Sequence, residues 1–81
     1  MKESKIKMEN GRTLVIRAYD ESGVFISVIE LDGSETSCVG TSETLLDALY
    51  FIADKGYFER WGVGNRELIY LCAKAIDDIL L

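Results

Sequence analysis

The chain has 81 residues, 48% of them hydrophobic and 28% charged, with a formal net charge of −5 and neither histidine nor proline. That balance is expected of one small soluble globular domain, not of a disordered tail or a membrane span, and so short a chain buries only ~60–65% of its unfolded surface. The acidity argues against direct nucleic-acid binding, which draws on a basic face; it permits a partner with a basic surface, and it also serves simply to keep a small protein soluble.

Residues 4–9 alternate polar and apolar side chains, the pattern of a half-buried strand, and Lys5 and Lys7 suit a protected edge. Asn10-Gly11 then predicts a two-residue type I′ turn with Glu9 opposite Arg12. Thr13–Tyr19 and Val24–Leu31 are rich in β-branched and aromatic residues and read as two strands joined across Asp20-Glu-Ser-Gly23. Asp32-Gly33 is a second two-residue hairpin signal, leading into a shorter strand over Ser34–Val39. Together these predict a four-stranded antiparallel β-meander.

With turns of those lengths, alternation places Ile6, Met8, Val15, Tyr19, Phe25, Ile29, Leu31 and Cys38 on one sheet face. Leu14, Ile16, Ala18, Val24, Ile26, Val28 and Val39 fall on the other. Both faces of the central strands are then apolar, whereas a sheet with one face in water shows polar alternation there. Helices can cover one face. The other would need a helix wrapped around it, a foreign protein or a homodimer, with Leu14, Ile16, Ile26 and Val28 as the candidate dimer face.

A first helix is expected after Gly40-Thr-Ser42, with Thr41 or Ser42 as N-cap and Glu43 in its first turn. Its stripe is Leu45, Leu46, Leu49, Ile52 and Ala53, with Tyr50 and Phe51 on the flanks, Glu43, Asp47 and Asp54 opposite, and Lys55-Gly56 as the stop. An aromatic connection follows over residues 57–64. A second helix, capped by Asn65, buries Leu68, Ile69, Cys72, Ala75, Ile76 and Ile79. The fold class is therefore α+β in a single domain spanning residues 1–81, the meander followed by two helices packed on one face.

Chemistry is sparse. Without histidine, Ser-His-Asp and Cys-His mechanisms have no base in this chain. Cys38 and Cys72 lack metal-ligand spacing and read as free, buried thiols. Asp20, Glu21 and Asp32 serve turns, Asp77 and Asp78 read as solvated, and Gly62-Val-Gly64 has no phosphate-loop context. No catalytic residues, cofactor or metal are expected. Large aromatics beside a charge make good interface anchors. The partner-binding candidates are thus Tyr50, Phe51, Asp47, Asp54, Tyr57, Phe58 and Trp61.

Tyr19-Asp-Glu-Ser-Gly-Val-Phe25, Cys38-Val-Gly-Thr41 and Leu45-Leu-Asp-Ala-Leu49 follow one another as strand, acidic turn, strand, cysteine segment and helix entry. In that run, under half of the chain, the sequence resembles the HicB-like antitoxin domain. It departs from the family in its first strand, its second helix and the missing Pro-Asp-Leu-Pro-Gly-Cys segment. The resemblance implies an inert partial RNase H-like fold that binds and blocks a small toxin, often as a dimer. With or without it, the expected function is a small acidic, non-enzymatic protein-binding module, an inhibitor or antitoxin-like regulator of the kind mobile elements and phages carry. The alternative is a structural homodimer or assembly subunit. The first residues, Met1-Lys-Glu-Ser-Lys-Ile-Lys7, lack an apolar run, so no secretory signal and a cytoplasmic location are expected.

Overall fold

The computed structural model describes residues 1–81. Four strands, β1 (Lys2–Lys7), β2 (Thr13–Tyr19), β3 (Gly23–Ile29) and β4 (Glu35–Ser42), form one antiparallel sheet in the order β1-β2-β3-β4. Three helices follow: α1 (Leu45–Asp54), the single turn α2 (Tyr57–Arg60) and α3 (Asn65–Leu80). The α+β class and the meander are as the pattern predicts; α2 is an addition within the aromatic connection.

The turns are one residue longer than a type I′ hairpin, and this decides the faces. The Met8 N–H donates to the Arg12 carbonyl at 2.8 Å, and the Gly11 N–H donates to the Met8 carbonyl at 3.0 Å. Only Gly11, at φ 93°, is left-handed; Asn10 is not. This is a three-residue turn closed by a glycine bulge. Asn10 has other work: its Oδ1 accepts from the Arg12 N–H at 2.8 Å, and its Nδ2 donates to the Trp61 carbonyl at 2.9 Å. The turn at Asp32-Gly33 repeats the geometry, with Asp32 Oδ1 accepting from the Ser34 N–H at 2.9 Å.

The extra residue slides β1 by one position. Ile6 pairs with Leu14 and Ser4 with Ile16. A one-residue slip moves every side chain of a strand to the other face. Ile6 and Met8 therefore join Leu14, Ile16, Ala18, Val24, Ile26 and Val28 under the helices, and do not share a face with Val15. In β4 the register breaks between Ile26/Val39 and Ser27/Ser37, and this bulge turns both Cys38 and Val39 into the core.

The residues expected to form a dimer face, Leu14, Ile16, Ile26 and Val28, are thus the centre of the core, each essentially sealed from solvent. The face left open carries Glu3, Lys5, Thr13, Arg17, Ser27 and Glu35 among its apolar members. Arg17 Nε meets Glu3 Oε2 at 2.9 Å, and Arg17 Nη1 meets Glu35 Oε2 at 2.9 Å. Ser27 Oγ donates to the same Glu35 oxygen at 2.9 Å. Val15 is fully buried here without a second layer; Lys5, directly across from it, and Arg17 have aliphatic stems long enough to cover it. Ion pairs cross the open face between Val15, Tyr19, Phe25 and Ile29, so the expected second apolar face is corrected to a mixed one.

α1 starts at Leu45 after an extended Thr44, whose hydroxyl accepts from the Asp47 N–H at 3.1 Å. The expected caps do other things. Ser42 ends β4, and Thr41 Oγ1 donates to the Ser22 carbonyl at 2.8 Å, tying β4 to the β2–β3 turn. That end is tight: a Cβ on Gly23 would lie 2.3 Å from the Ser42 carbonyl oxygen. α1 ends before Gly56, left-handed at φ 77°. At α3 the cap is the backbone of Gly64, and Asn65 is the first helical residue.

α1 lies over β3 and β4, and α3 over β1. The two run antiparallel. α1 leaves from the β2–β3 turn, while α3 begins beside the β1–β2 turn, where the Glu9 N–H donates to Glu67 at 2.6 Å. α3 ends near the start of β1, where Ser4 Oγ donates to Asp78 Oδ2 at 2.7 Å. The buried stripes are Leu45, Ala48, Leu49 and Ile52 on α1 and Leu71, Ala75 and Ile79 on α3. Three members of the expected stripes, Leu46, Ala53 and Ile69, point outward instead, and Ala48 and Leu71 take core positions.

Candidate functional site

The seven partner-binding candidates separate into three groups. Tyr57, Phe58 and Trp61 form an aromatic plug at one end of the core, with ring centroids 5.4 Å apart for Tyr57–Trp61 and 5.9 Å for Phe58–Trp61. Phe58 is buried; Tyr57 and Trp61 pack against the core at its edge. Arg60 closes the plug from outside, its Cζ 4.4 Å from the Tyr57 ring centre. Trp61 is further fixed by the Asn10 bond to its carbonyl. These three therefore hold the helix layer to the β1–β2 turn. Phe51 sits on one flank of α1 under Lys55, whose Nζ lies 5.5 Å from the ring centre. Tyr50, Asp47 and Asp54 are exposed on the outside of α1.

Tyr50 has neighbours that the sequence reading did not single out. A residue that follows a buried helical position is turned ~100° around the axis from it. On α1 those following residues are Leu46, Tyr50 and Ala53; on α3 they are Cys72, Ile76 and Leu80, joined by Ile69, which follows the half-buried Leu68. All seven are apolar or aromatic. On α3, the opposite flank carries Glu67 and Asp78, which bond to the β1 side of the molecule. The Cys72–Ile76 flank must then face α1. Two antiparallel helices of the same hand on one sheet face meet through equivalent flanks, so Leu46, Tyr50 and Ala53 face α3.

The result is an apolar furrow along the outside of the helix layer. Leu46 is 61% exposed, Tyr50 74%, Ile69 70% and Leu80 56%, with Cys72 and Ile76 half-buried at the floor. At its end, between the start of α1 and the end of α3, lies a concavity of about 370 Å³ whose lining includes Ala18, Val24, Leu45, Ile79 and Leu80 and the charged residues Lys2, Asp20 and Glu43. The signal for this surface was present in the sequence. The apolar arc of each helix is too broad for one sheet-facing stripe, and its excess is the furrow.

The open sheet face holds a second concavity, of about 380 Å³, over Arg17, Tyr19, Phe25, Ser27, Glu35 and Ser37. Tyr19 and Phe25 meet edge to face at 5.3 Å. The Arg17 hydrogen bond, helped by Ser27, holds the Glu35 carboxyl below its usual range, and Glu35 and Glu3 hold the guanidinium proton more firmly still. Every charge at this place is spent on its neighbours.

The thiols are poor nucleophiles. Burial, with Glu30 nearby, pushes Cys38 up to about 11, and burial also raises Cys72. Both are free. No three of the histidine, cysteine and acidic side chains stand where they could hold a metal ion, and no helix is long and apolar enough to cross a membrane. In comparisons with known proteins, no family model, no curated protein and no solved structure matches the chain.

Proposed function

We propose that the chain is a non-enzymatic protein-binding module, an inhibitor or antitoxin-like regulator, that docks its partner on the outside of the α1–α3 layer. One observation carries this reading: Leu46, Tyr50, Ile69 and Leu80 stay exposed on one surface although the core is complete without them. Single exposed apolar side chains are ordinary, but a contiguous strip of them marks an interaction surface. The lack of histidine, the raised thiols and the self-satisfied ion pairs of the sheet face support a role without chemistry.

The test is site-specific photo-crosslinking in cells that produce the protein. A photoreactive residue replaces Leu46 or Ile69 on the furrow, and Lys5 or Ser37 on the open sheet face. The expected result is one common adduct from positions 46 and 69, absent from positions 5 and 37. Adducts confined to the sheet-face positions would overturn the reading.

A further inference from the structure

The charges beside the furrow say what kind of surface fits it. Glu43, Asp47 and Asp54 are exposed on the α1 side and Asp77 on the outer side of α3. Two nearby cations are held away from it: Lys55 lies over Phe51 on the far flank of α1, and Lys74 Nζ pairs with Asp78 Oδ1 at 3.3 Å on the β1 side of α3. Two others are not: Arg66, in the first turn of α3, and Lys2, which lines the concavity at the furrow's end together with Asp20 and Glu43. The furrow is thus an apolar strip with a mainly acidic rim.

Its shape is set by α1, whose ten residues give a trough about 15 Å long between antiparallel helices. A third helix of about three turns fills such a trough, its apolar side chains recurring at i, i+3 or i+4, and i+7. The concavity bounded by Leu45, Ile79 and Leu80 gives a terminal anchor a place to insert. Glu43 at its edge, and Asp47 and Asp54 farther along, would meet basic residues flanking the apolar stripe.

We infer that the furrow between α1 and α3 is a docking groove for a basic amphipathic helix of a partner protein. The inference rests on the docking reading above and adds the occupant. A second copy of this chain is disfavoured, because its own furrow has the same acidic rim and each copy carries a net charge of −5. Anionic membranes and nucleic acids are repelled for the same reason.

The probe is the ¹⁵N-labelled full chain, titrated with three synthetic peptides of about four helical turns. The first has leucines at helical spacing and lysine or arginine elsewhere. The second keeps the leucines and replaces the bases by glutamate. The third has the composition of the first with the leucines scattered off one face. The expected result is saturable binding of the first peptide alone, with amide shifts centred on α1 and α3. Its affinity should fall at least roughly tenfold in a Leu46→Ser/Ile69→Ser variant, as for anchor residues, and should fall again with added salt. The variant's unchanged circular dichroism would show that it still folds.

Three results would overturn the inference: no saturable binding of the first peptide, equal binding of the second or third, or shifts centred on the strands. A concentration-dependent dimer that forms at low salt and is abolished by Ile69→Ser would overturn it in favour of a second copy, because the acidic rims would then fail to keep two copies apart. If the crosslinks form at positions 46 and 69 while the basic helix fails to bind, the docking surface stands and its occupant is wrong. If both fail, the docking reading falls as well.

Discussion

Ile26 and Ile69 are the same side chain in opposite surroundings. Ile26 is 1% exposed, between Ile16 and Val39 in the sheet and beneath the helices; Ile69 is 70% exposed on α3. Truncating a buried isoleucine removes its transfer free energy and leaves a cavity, at a cost of about 2–5 kcal/mol. A chain of this size has a total stability of about 4–12 kcal/mol, so Ile26→Ala should remove a large part of it. Ile69→Ala should change stability by no more than about 0.5 kcal/mol. Urea unfolding followed by the fluorescence of the single tryptophan, Trp61, reads both. A loss at Ile69 as large as at Ile26 would place Ile69 in the buried stripe of α3 and remove one wall of the furrow.

The helix layer is pinned at both ends of α3, by Glu67 on the Glu9 N–H of the β1–β2 turn and by Asp78 on the Ser4 hydroxyl of β1. The Ser4 bond, and then Lys74, hold the Asp78 carboxyl below its ordinary range; the Ser34 bonds do the same for Asp32, and Arg17 for Glu35. A carboxyl depressed on folding makes its contribution in full above its unfolded pKa, and loses it as pH falls through the folded value. The urea midpoint should therefore be level from about pH 7 to pH 5 and fall below about pH 4. Ser4→Ala should make that acid fall shallower, because the Asp78 carboxyl loses its largest depressing partner; an unchanged slope would mean that the bond is not formed in solution. Such long-range bonds are the part of the fold hardest to read from the chain. Local periodicity was enough for four strands and two long helices, and the turn residues marked every reversal. Turn length was not legible, because Asn10-Gly11 and Asp32-Gly33 suit two-residue and bulged turns alike, and one residue decides which face Ile6 and Met8 occupy. Helix phase was hidden for a related reason: the apolar arcs on α1 and α3 each serve a core and a furrow. The periodicity therefore assigns Ile69 to the core and passes over Leu71, whereas Ile69 is exposed and Leu71 is buried.

At the scale of the whole molecule, two surfaces compete to join copies of the chain, and charge treats them differently. The homodimer expected from the sequence drew on a spare apolar sheet face, but those residues lie under the helices, and the exposed sheet face is tied up in the Arg17 ion pairs. The furrow remains, apolar enough to stick and rimmed by acids that repel a second copy. At low ionic strength the repulsion reaches across about 30 Å at 0.01 M salt, and at 1 M it is screened within about 3 Å. Light scattering at low salt should thus give the monomer mass of 9.1 kDa across a wide concentration range. Any association should grow with sodium chloride and disappear in Ile69→Ser, because screening removes the repulsion while apolar attraction persists. The opposite trend, a dimer strongest at low salt and weakened by Arg17→Ala, would mean that copies meet through exchanged ion pairs on the open sheet face. The furrow would then be free in the dimer and Arg17 would be the residue that controls assembly.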